Sequence, residues 1–319
     1  MNRILLLGRD GQVGWELQRV LAPHFHVLAP GRGEVDLSQA SEIRSVVRSS
    51  RPDTIINAAA YTAVDRAEQD EAAALSVNGT AVEILAAEAR SLGAFLVHYS
   101  TDYVFDGEKA GAYVETDTVR PLGAYGRTKR AGEVAIESSG CRFLIFRTSW
   151  LYGARGRNFL LTMLRLANSQ PALRVVNDQF GVPNWSRMVA QVTLAALLKL
   201  RSQPAAPLGM YHLSAGGAAT WHSFAETIVA LGSELGLARK VPVHPVATTE
   251  YPIATRRPAN SVLSSTKIQN AFDLRIPDWQ VCLRWCMEDL SASYQAELLV
   301  AAPYRPSSAD THRIDKTDS

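Results

Sequence analysis

A tyrosine and a lysine four positions apart, Tyr125 and Lys129, are the residues of this chain whose spacing points most directly to chemistry. On a helix, side chains at positions i and i+4 lie on the same face, one turn apart. A tyrosine hydroxyl has a pKa of about 10, so it is a useful acid near neutral pH only when a positive charge stabilises its anion. We therefore interpret Tyr125 as a general acid and Lys129 as the charge that tunes it and also anchors a cofactor.

Two further features upstream fit the same chemistry. Thr101 can hydrogen-bond an oxygen that gains negative charge. Gly8, Gly11 and Gly14 follow the first apolar segment, where glycines permit a tight turn and close approach to a dinucleotide pyrophosphate. Alone, the turn is as readily a plain strand–helix connection, and the tyrosine–lysine pair an ordinary surface pair. In this order, the three features predict hydride transfer to or from an alcohol carbon.

These residues must be held by a sheet whose strands end beside one another. Apolar segments at 4–7, 26–29, 53–57, 94–99 and 142–147 alternate with helical patterns, including 13–21, 71–92 and the helix bearing Tyr125. This alternation predicts an α/β fold with a doubly wound parallel sheet, of the Rossmann type, and helices on both faces. Ligands bind at the carboxyl ends of such strands, where Gly8, Ala58, Ser100 and Thr148 fall.

The pattern loosens after about residue 148. We predict a dinucleotide-binding domain over 1–150, with part of 186–205 packing back on it, and a smaller mixed α/β substrate lobe mainly over 151–302. Helices are expected near 156–169, 186–201, 221–235 and 278–296. The polar segment 303–319 has no periodicity and is expected to be a mobile tail.

Composition narrows the class of protein. The 319 residues carry a net charge of +2 and no long basic run, so a nucleic-acid partner is not expected. No apolar stretch approaches the roughly 18 residues of a membrane span, and the start does not resemble a signal peptide. Cys141, Cys282 and Cys286 cannot all pair, which favours a reducing cytoplasm.

His98 falls in a predicted buried strand, where a structural role is expected.

The end of the second strand bears on the choice of cofactor. A carboxylate there would bind the ribose 2′-hydroxyl of NAD, but the sequence reads Pro30, Gly31, Arg32. Arg32, assisted by Arg9, could pair with a 2′-phosphate, or both arginines could be solvated surface charges. We predict NADPH, with NADH as the alternative.

The ordered set of motifs resembles the short-chain dehydrogenase/reductase superfamily, in the extended form that handles sugar nucleotides. The related dehydratases carry Thr-Asp-Glu where this chain has Thr101, Asp102 and Tyr103, so reduction is favoured over dehydration. This resemblance, together with the glycine turn and the tyrosine–lysine pair, implies cofactor contacts by Gly8, Gly11, Gln12, Val13, Gly14, Arg32, Asp36, Leu37, Ala58, Ala59, Ala60, Tyr125 and Lys129.

A narrower resemblance covers roughly residues 1–295. The stretches 11–17, 57–65, 100–107, 147–153, 177–181 and 257–261 are similar to those of dTDP-4-dehydrorhamnose reductases. This implies NAD(P)H-dependent reduction of the 4-keto group of dTDP-4-dehydro-L-rhamnose, a dTDP-linked 4-keto-6-deoxy sugar. The product, dTDP-L-rhamnose, is a precursor of cell-surface polysaccharide such as lipopolysaccharide O-antigen. The implied substrate contacts are Thr101, Asp102, Tyr103, Val64, Trp150 and Arg257, with Arg256 as an alternative to Arg257.

The chain departs from this family at one place. Some members resemble metal-linked dimers that use three glutamates, and here Glu16 and Glu288 match two of the positions while Arg187 stands at the third. An arginine cannot bind a cation, so bridging magnesium is disfavoured, and the protein is expected to be a monomer or a homodimer. The alternative functions are a non-catalytic NADP-binding regulatory subunit and a related nucleotide-sugar epimerase or reductase.

Overall fold

A six-stranded parallel sheet carries the first half of the chain and one later strand. The computed structural model describes residues 2–203, 205–250 and 257–301, with side chains described up to residue 293, so the predicted tail at 303–319 lies outside the described residues. The strands are β1 (Arg3–Leu7), β2 (His26–Leu28), β3 (Thr54–Asn57), β4 (Phe95–Thr101), β5 (Arg142–Thr148), β6 (Leu151–Tyr152), β7 (Leu173–Val176), β8 (Phe180–Gly181), β9 (Asn184–Trp185), β10 (Gly209–His212), β11 (Ala219–Thr220) and β12 (Val243–Val246).

The helices follow the predicted alternation. They are α1 (Gln12–Leu21), α2 (Ala40–Ser50), α3 (Val64–Gln69), α4 (Glu71–Leu75), α5 (Ala81–Leu92), α6 (Ala124–Ser139), α7 (Phe159–Ser169), α8 (Ser186–Ser202), α9 (Trp221–Glu234), α10 (Thr266–Phe272) and α11 (Trp279–Ala301). Among the described residues, no helix is both long and apolar enough to cross a bilayer.

The sheet has the strand order β10-β5-β4-β3-β1-β2, and all of its neighbours run parallel. Ile4 and Leu6 pack into one apolar core, while Leu5 and Leu7 pack into the other. Successive side chains of a strand point to opposite faces, so a strand covered by helices on both sides is apolar throughout. The predicted doubly wound parallel sheet is confirmed.

Two features differ from the expected elements. The predicted helix over 71–92 is divided by a π-helical turn at Ser76–Thr80, which directs the buried Asn78 side chain toward α6. Strand β10 belongs to the main sheet, beside β5, although it follows the lobe segment in sequence. Helix α8 packs against α1.

The remaining elements form a second region of mixed structure. It contains three two-stranded pairs, β6–β9, β7–β12 and β8–β11, and α9 contacts both α7 and strands of the last two pairs. Their apolar side chains join those under α1 and α8 in one continuous core cluster. The two regions therefore share a hydrophobic core.

Candidate active site

The predicted site residues meet at one edge of the sheet. Gly8 follows β1, Ala58 follows β3, and Thr101 and Thr148 end β4 and β5. Because these strands are parallel neighbours, their carboxyl ends lie side by side. The sheet therefore brings together Gly8 of the glycine turn and Thr101, which are 93 positions apart in sequence.

The glycine turn has the geometry of a phosphate-binding turn. Gly8 has φ of +87°, and a Cβ atom on it would lie 2.5 Å from the Ala59 nitrogen. A Cβ on Gly14 would lie 2.0 Å from the Gly8 oxygen, so α1 can approach β1 only without a side chain there. Among the described residues, no side chain caps the start of α1 at Gly11. The free N–H groups and the positive end of the helix dipole fit a pyrophosphate.

A carboxylate lies at the end of β2, although the sequence Pro30, Gly31, Arg32 predicts none there. Glu34 folds back so that its Oε2 accepts a hydrogen bond from the Gly31 nitrogen at 2.7 Å. The same oxygen is 3.2 Å from Nη1 of Arg9, which also donates to the Ala29 carbonyl at 2.6 Å. Arg32 is exposed. Glu34 was not predicted here, because its carboxylate reaches this position through a turn rather than from the strand end.

Other predicted cofactor residues surround the turn. Asp36 lies in the loop between β2 and α2, where its Oδ1 accepts from the Ser38 nitrogen at 2.9 Å. That backbone hydrogen bond is the main reason why the pKa of Asp36 lies below its usual value. The half-buried residues Ala58, Ala59 and Ala60 follow β3 and lie beside Gly8. Val13 is buried under the glycine turn. Leu37 packs against the hydrophobic core on one face of the sheet. Gln12 accepts a hydrogen bond from Asn158 at 3.0 Å, which ties the turn to the loop before α7.

Helix α6 is held tightly against the segment after β4. Gly126 allows this approach, since a Cβ there would lie 2.2 Å from the Tyr103 carbonyl oxygen. Glu68 of α3 accepts a hydrogen bond from the Ala124 nitrogen at 2.6 Å and so satisfies one free donor at the start of α6. The ring of Tyr125 consequently packs against the edge of Tyr103, with centroids 5.7 Å apart and planes at 84°.

The surroundings of Tyr125 favour its neutral form. Burial is the largest cause that raises the pKa of its hydroxyl, and the negative charge of Asp102 raises it further. Hydrogen bonding with Thr101 partly offsets the rise. A hydroxyl kept neutral at physiological pH is equipped to give a proton, and its anion needs an added positive charge.

Lys129 is buried under the site, with 1% of its surface exposed. Its Nζ donates to the Tyr99 carbonyl oxygen at 2.7 Å and lies 3.1 Å from Nε2 of His98. Burial lowers the pKa of Lys129 to about 8, and the carboxylate of Glu133 opposes that shift. The amino group thus hydrogen-bonds inward, to β4.

Thr101 and Asp102 form a buried polar pair. The Thr101 hydroxyl donates to Asp102 Oδ1 at 3.0 Å and accepts from the Tyr103 nitrogen at 3.1 Å. Asp102 is 3% exposed, and its Oδ2 has no partner within hydrogen-bonding geometry among the described residues. Burial raises its pKa to about 6. A hydroxyl group of a substrate could donate a hydrogen bond to the Oδ2 atom of Asp102.

We expect Asp102→Asn to stabilise the protein at pH 8. The folded-state pKa of about 6 lies above the ordinary 3.8, so ionisation of Asp102 opposes folding. Protonated Asp102 stabilises the folded protein, and this contribution is fully present below pH 3.8 and is lost as the pH rises through 6. A neutral isostere should therefore raise the free energy of unfolding by about 3 kcal/mol at pH 8, with little gain at pH 4. Urea unfolding at both pH values measures this, and an equal gain at both would contradict it.

Trp150 and Trp221 form an aromatic wall at the carboxyl edge. Trp150 has φ of +41°, a conformation that bulky residues rarely adopt, just beyond β5. Its ring stacks on Trp221, with centroids 3.5 Å apart and planes within 9°. Phe159 packs against the far side of this stack, 4.7 Å from Trp221. Trp150 was predicted at this edge, whereas Trp221, which reaches the wall from the start of α9, was not.

Arg257 and Pro258 lie beside the start of α3. Val64, Tyr103, Tyr125 and Pro258 line a small cleft beside the carboxyl edge. Arg257 Nη2 lies 3.8 Å from Asp65 Oδ2. Burial raises the pKa of Tyr103 to about 12, and the positive charge of Arg257 opposes this rise. Arg256, the alternative to Arg257, lies outside the described residues.

Arg187 joins the helices that correspond to the metal-linking positions of the related dimers. Its Nε lies 3.1 Å from Oε2 of the buried Glu16, and its Nη1 pairs with Asp289. Glu288, the residue expected at this place, is exposed, and Asp289 takes the position facing Arg187. The guanidinium thus supplies a positive charge between two carboxylates. Within the described ranges, no group of three metal-ligating side chains occurs.

Comparison with known proteins places these features in a family. Residues 1–292 match the family described as the RmlD substrate binding domain. A dTDP-4-dehydrorhamnose reductase of Burkholderia thailandensis is 46% identical over 297 residues, which cover 90% of this chain and 99% of the relative. The crystal structure of a dTDP-4-dehydrorhamnose reductase of Clostridium acetobutylicum superposes with a TM-score of 0.83 at 33% identity, covering 90% of this chain and 99% of that one. The Bacillus anthracis dTDP-4-dehydrorhamnose reductase, solved in complex with NADP, gives 0.82 at 33% identity, with 91% and 100% covered.

Proposed function

Because this chain belongs to the RmlD substrate binding domain family, we propose that it reduces the 4-keto group of dTDP-4-dehydro-L-rhamnose to give dTDP-L-rhamnose. The chain is an oxidoreductase that draws on NADPH, with NADH as the alternative donor, in the formation of dTDP-rhamnose. The convergence of Tyr125, Thr101 and the glycine turn at one sheet edge is the observation that carries the proposal.

The cofactor site is assigned from the glycine turn. The N–H groups at the start of α1 would hold the pyrophosphate, and the segments 36–37 and 58–60 would line the adenosine half. NADPH supplies the hydride when bound. The close approach of Gly8 to Ala59 leaves backbone rather than side chains facing this site, which fits a phosphate group.

The proton is assigned to Tyr125. In this scheme its hydroxyl donates to the carbonyl oxygen of the sugar and transfers the proton as negative charge develops there. Lys129, one turn further along α6, stabilises the tyrosinate that remains. Thr101 orients the carbonyl oxygen, for which its hydroxyl must turn away from Asp102 Oδ1.

The substrate is assigned to the space between the sheet edge and the second region. Asp102 and Tyr103 would contact the hexose, Trp150 would wall it on one side, and Val64 would line the entrance. Arg257 would meet the diphosphate. In this division, residues 1–150 bind the cofactor, part of 186–205 supports them, and residues 151–302 mainly hold the sugar nucleotide.

The decisive assay follows NADPH absorbance with dTDP-4-dehydro-L-rhamnose generated in situ by the upstream dehydratase and epimerase. Oxidation that requires both the sugar and Tyr125 supports the reductase. A protein that binds NADPH but shows no turnover would instead indicate the regulatory-subunit function, for which a proton donor is unnecessary. Turnover with a different keto sugar only would redirect the assignment to a related reductase.

Glu34 should influence the choice between NADPH and NADH. Its carboxylate can bind a ribose 2′-hydroxyl, and it holds Arg9 away from a 2′-phosphate. We expect Glu34→Gln to tighten NADPH binding and weaken NADH binding, changing the ratio of dissociation constants about tenfold, or roughly 1.4 kcal/mol. Fluorescence titration of each cofactor measures this, with the exposed Glu83→Gln as control. An unchanged ratio would rule out this role.

A metal should be unnecessary for turnover. Arg187 already places a positive charge between Glu16 and Asp289, and a divalent cation there would be repelled by it. We expect kcat and the oligomeric state to be the same after treatment with EDTA. Loss of activity that added magnesium restores would contradict this expectation.

A further inference from the structure

His98 is a buried histidine in contact with the proposed catalytic lysine. It lies on β4 and has no exposed surface. Its Nε2 is 3.1 Å from Lys129 Nζ, and its Nδ1 is 3.2 Å from Asn57 Nδ2. Burial holds the pKa of His98 well below its usual value, so the ring is neutral and carries one proton.

The position of that proton follows from Asn57. The Ala59 nitrogen donates to Asn57 Oδ1 at 3.2 Å, which fixes the amide so that Nδ2 faces His98. An amide nitrogen is only a donor, so His98 Nδ1 must accept. The single ring proton is therefore on Nε2, which points at Lys129 Nζ.

A protonated lysine has three donors and no acceptor, so it cannot accept a hydrogen bond from Nε2. A neutral amine can accept this bond with its lone pair while it donates to the Tyr99 carbonyl at 2.7 Å. We propose that His98 is a positioning residue that donates Nε2–H to the uncharged form of Lys129 and thereby lowers the pH above which this lysine loses its charge. This inference rests on the proposed function of Tyr125 and Lys129.

The other groups around Lys129 oppose the uncharged form only in part. Glu133, one turn along α6, favours the ammonium, but its carboxylate accepts from Arg147 of β5 at 2.8 and 2.7 Å. Arg130 donates to the same carboxylate at 2.9 Å. On β4 the facing groups are His98 and the Tyr99 carbonyl, and the neutral amide of Asn57 lies beyond His98 on β3. Asp102 and Tyr125 complete the titratable groups around the site on its open side.

Proton balance links this pair to turnover. Tyr125 transfers its proton to the developing alkoxide, and the ammonium form of Lys129 stabilises the resulting tyrosinate. Where Lys129 is uncharged, it gains that form by taking one proton from solvent, and His98 must then release its contact or move its proton to Nδ1. That proton passes to the tyrosinate after the product leaves, so each turnover consumes one proton and restores both groups. Turnover should therefore decline as the pH rises through the Lys129 pKa.

His98→Gln separates this role from simple packing. A glutamine can turn its carbonyl oxygen toward Nζ and accept from the ammonium, which favours the charged form. We expect the pKa of Lys129 to rise by about one unit and the basic limb of the kcat profile to move with it. His222→Gln, which removes a buried histidine far from α6, should change neither.

The pKa is measured by NMR on the full chain, without substrate, after labelling its six lysines, with Lys129→Arg to assign the signal. The nitrogen-15 shifts of the His98 ring above pH 9 report its tautomer in the unmodified protein, so the test survives if His98→Gln fails to fold. An Nδ1–H tautomer, or an unchanged Lys129 pKa in folded His98→Gln, overturns the proposal. Because these readings need no turnover, failure of the reductase assay alone would refute the proposed function and leave the proton assignment standing.

Discussion

Tyr125→Phe is expected to lower kcat about 10³-fold while the dissociation constant of NADPH changes by less than about twofold. The substitution keeps the ring that packs at 84° on the edge of Tyr103, so α6 should stay in place. It removes only the hydroxyl, the proposed source of the proton for the carbonyl oxygen. Single-turnover kinetics with bound NADPH measure the chemical step directly.

Tyr103→Phe is the matched control for this change. It removes the hydroxyl of the neighbouring ring, whose pKa burial raises to about 12. We expect it to affect KM more than kcat, because its proposed role is contact with the sugar. Equal losses of kcat in the two variants would show that the reaction does not depend on Tyr125 as the proton donor.

Gly14→Ala is expected to have the second-largest effect. Its new Cβ would lie 2.0 Å from the Gly8 carbonyl oxygen, far inside van der Waals contact, so α1 must move away from β1. We expect the free energy of unfolding to fall by about 1–3 kcal/mol. We expect NADPH affinity to fall at least about tenfold, equivalent to roughly 1.4 kcal/mol, because the N–H groups that would hold the pyrophosphate move with the helix. Urea unfolding and cofactor titration measure the two losses separately.

Two other glycines provide control variants for Gly14→Ala. A Cβ on Gly33 would meet no atom within 4 Å, so Gly33→Ala should leave folding and binding unchanged. A Cβ on Gly11 would lie 3.3 Å from the Gly8 oxygen, a contact that a small shift relieves. Gly11→Ala should therefore fold normally but bind NADPH more weakly. Normal cofactor affinity in Gly14→Ala would show that the glycine turn is not part of the cofactor site.

The parts of the fold that the sequence predicts are those set by local patterns. The segment from Ile4 to Leu7 is apolar throughout because both faces of its strand are covered. The spacing of the three glycines likewise reflects contacts made within one turn. The predicted boundaries of α1 and β5 consequently agree with the structure to within a residue or two.

Features set by distant contacts were not predicted. Trp221 stacks on Trp150 although 70 positions separate them, and nothing in its local sequence indicates this contact. Glu34 looks like a loop carboxylate until the turn brings it to the Gly31 nitrogen. His98 was correctly expected to be buried, but its contact with Lys129 depends on the packing of α6 against β4. Side-chain pairing across elements is decided by tertiary packing, which a single sequence does not encode as a periodicity.

The place of β10 in the sheet affects how the protein is made. Strand β5 is complete at Thr148, but its outer neighbour, β10, begins only at Gly209. At roughly 5–20 residues per second, a ribosome needs several seconds to synthesise the segment between them. Throughout that interval the nascent chain presents an unpaired strand edge, a template on which other chains can aggregate. Slow translation between residues 149 and 208 would lengthen this exposure, so synonymous codons in that segment should influence the yield of native protein.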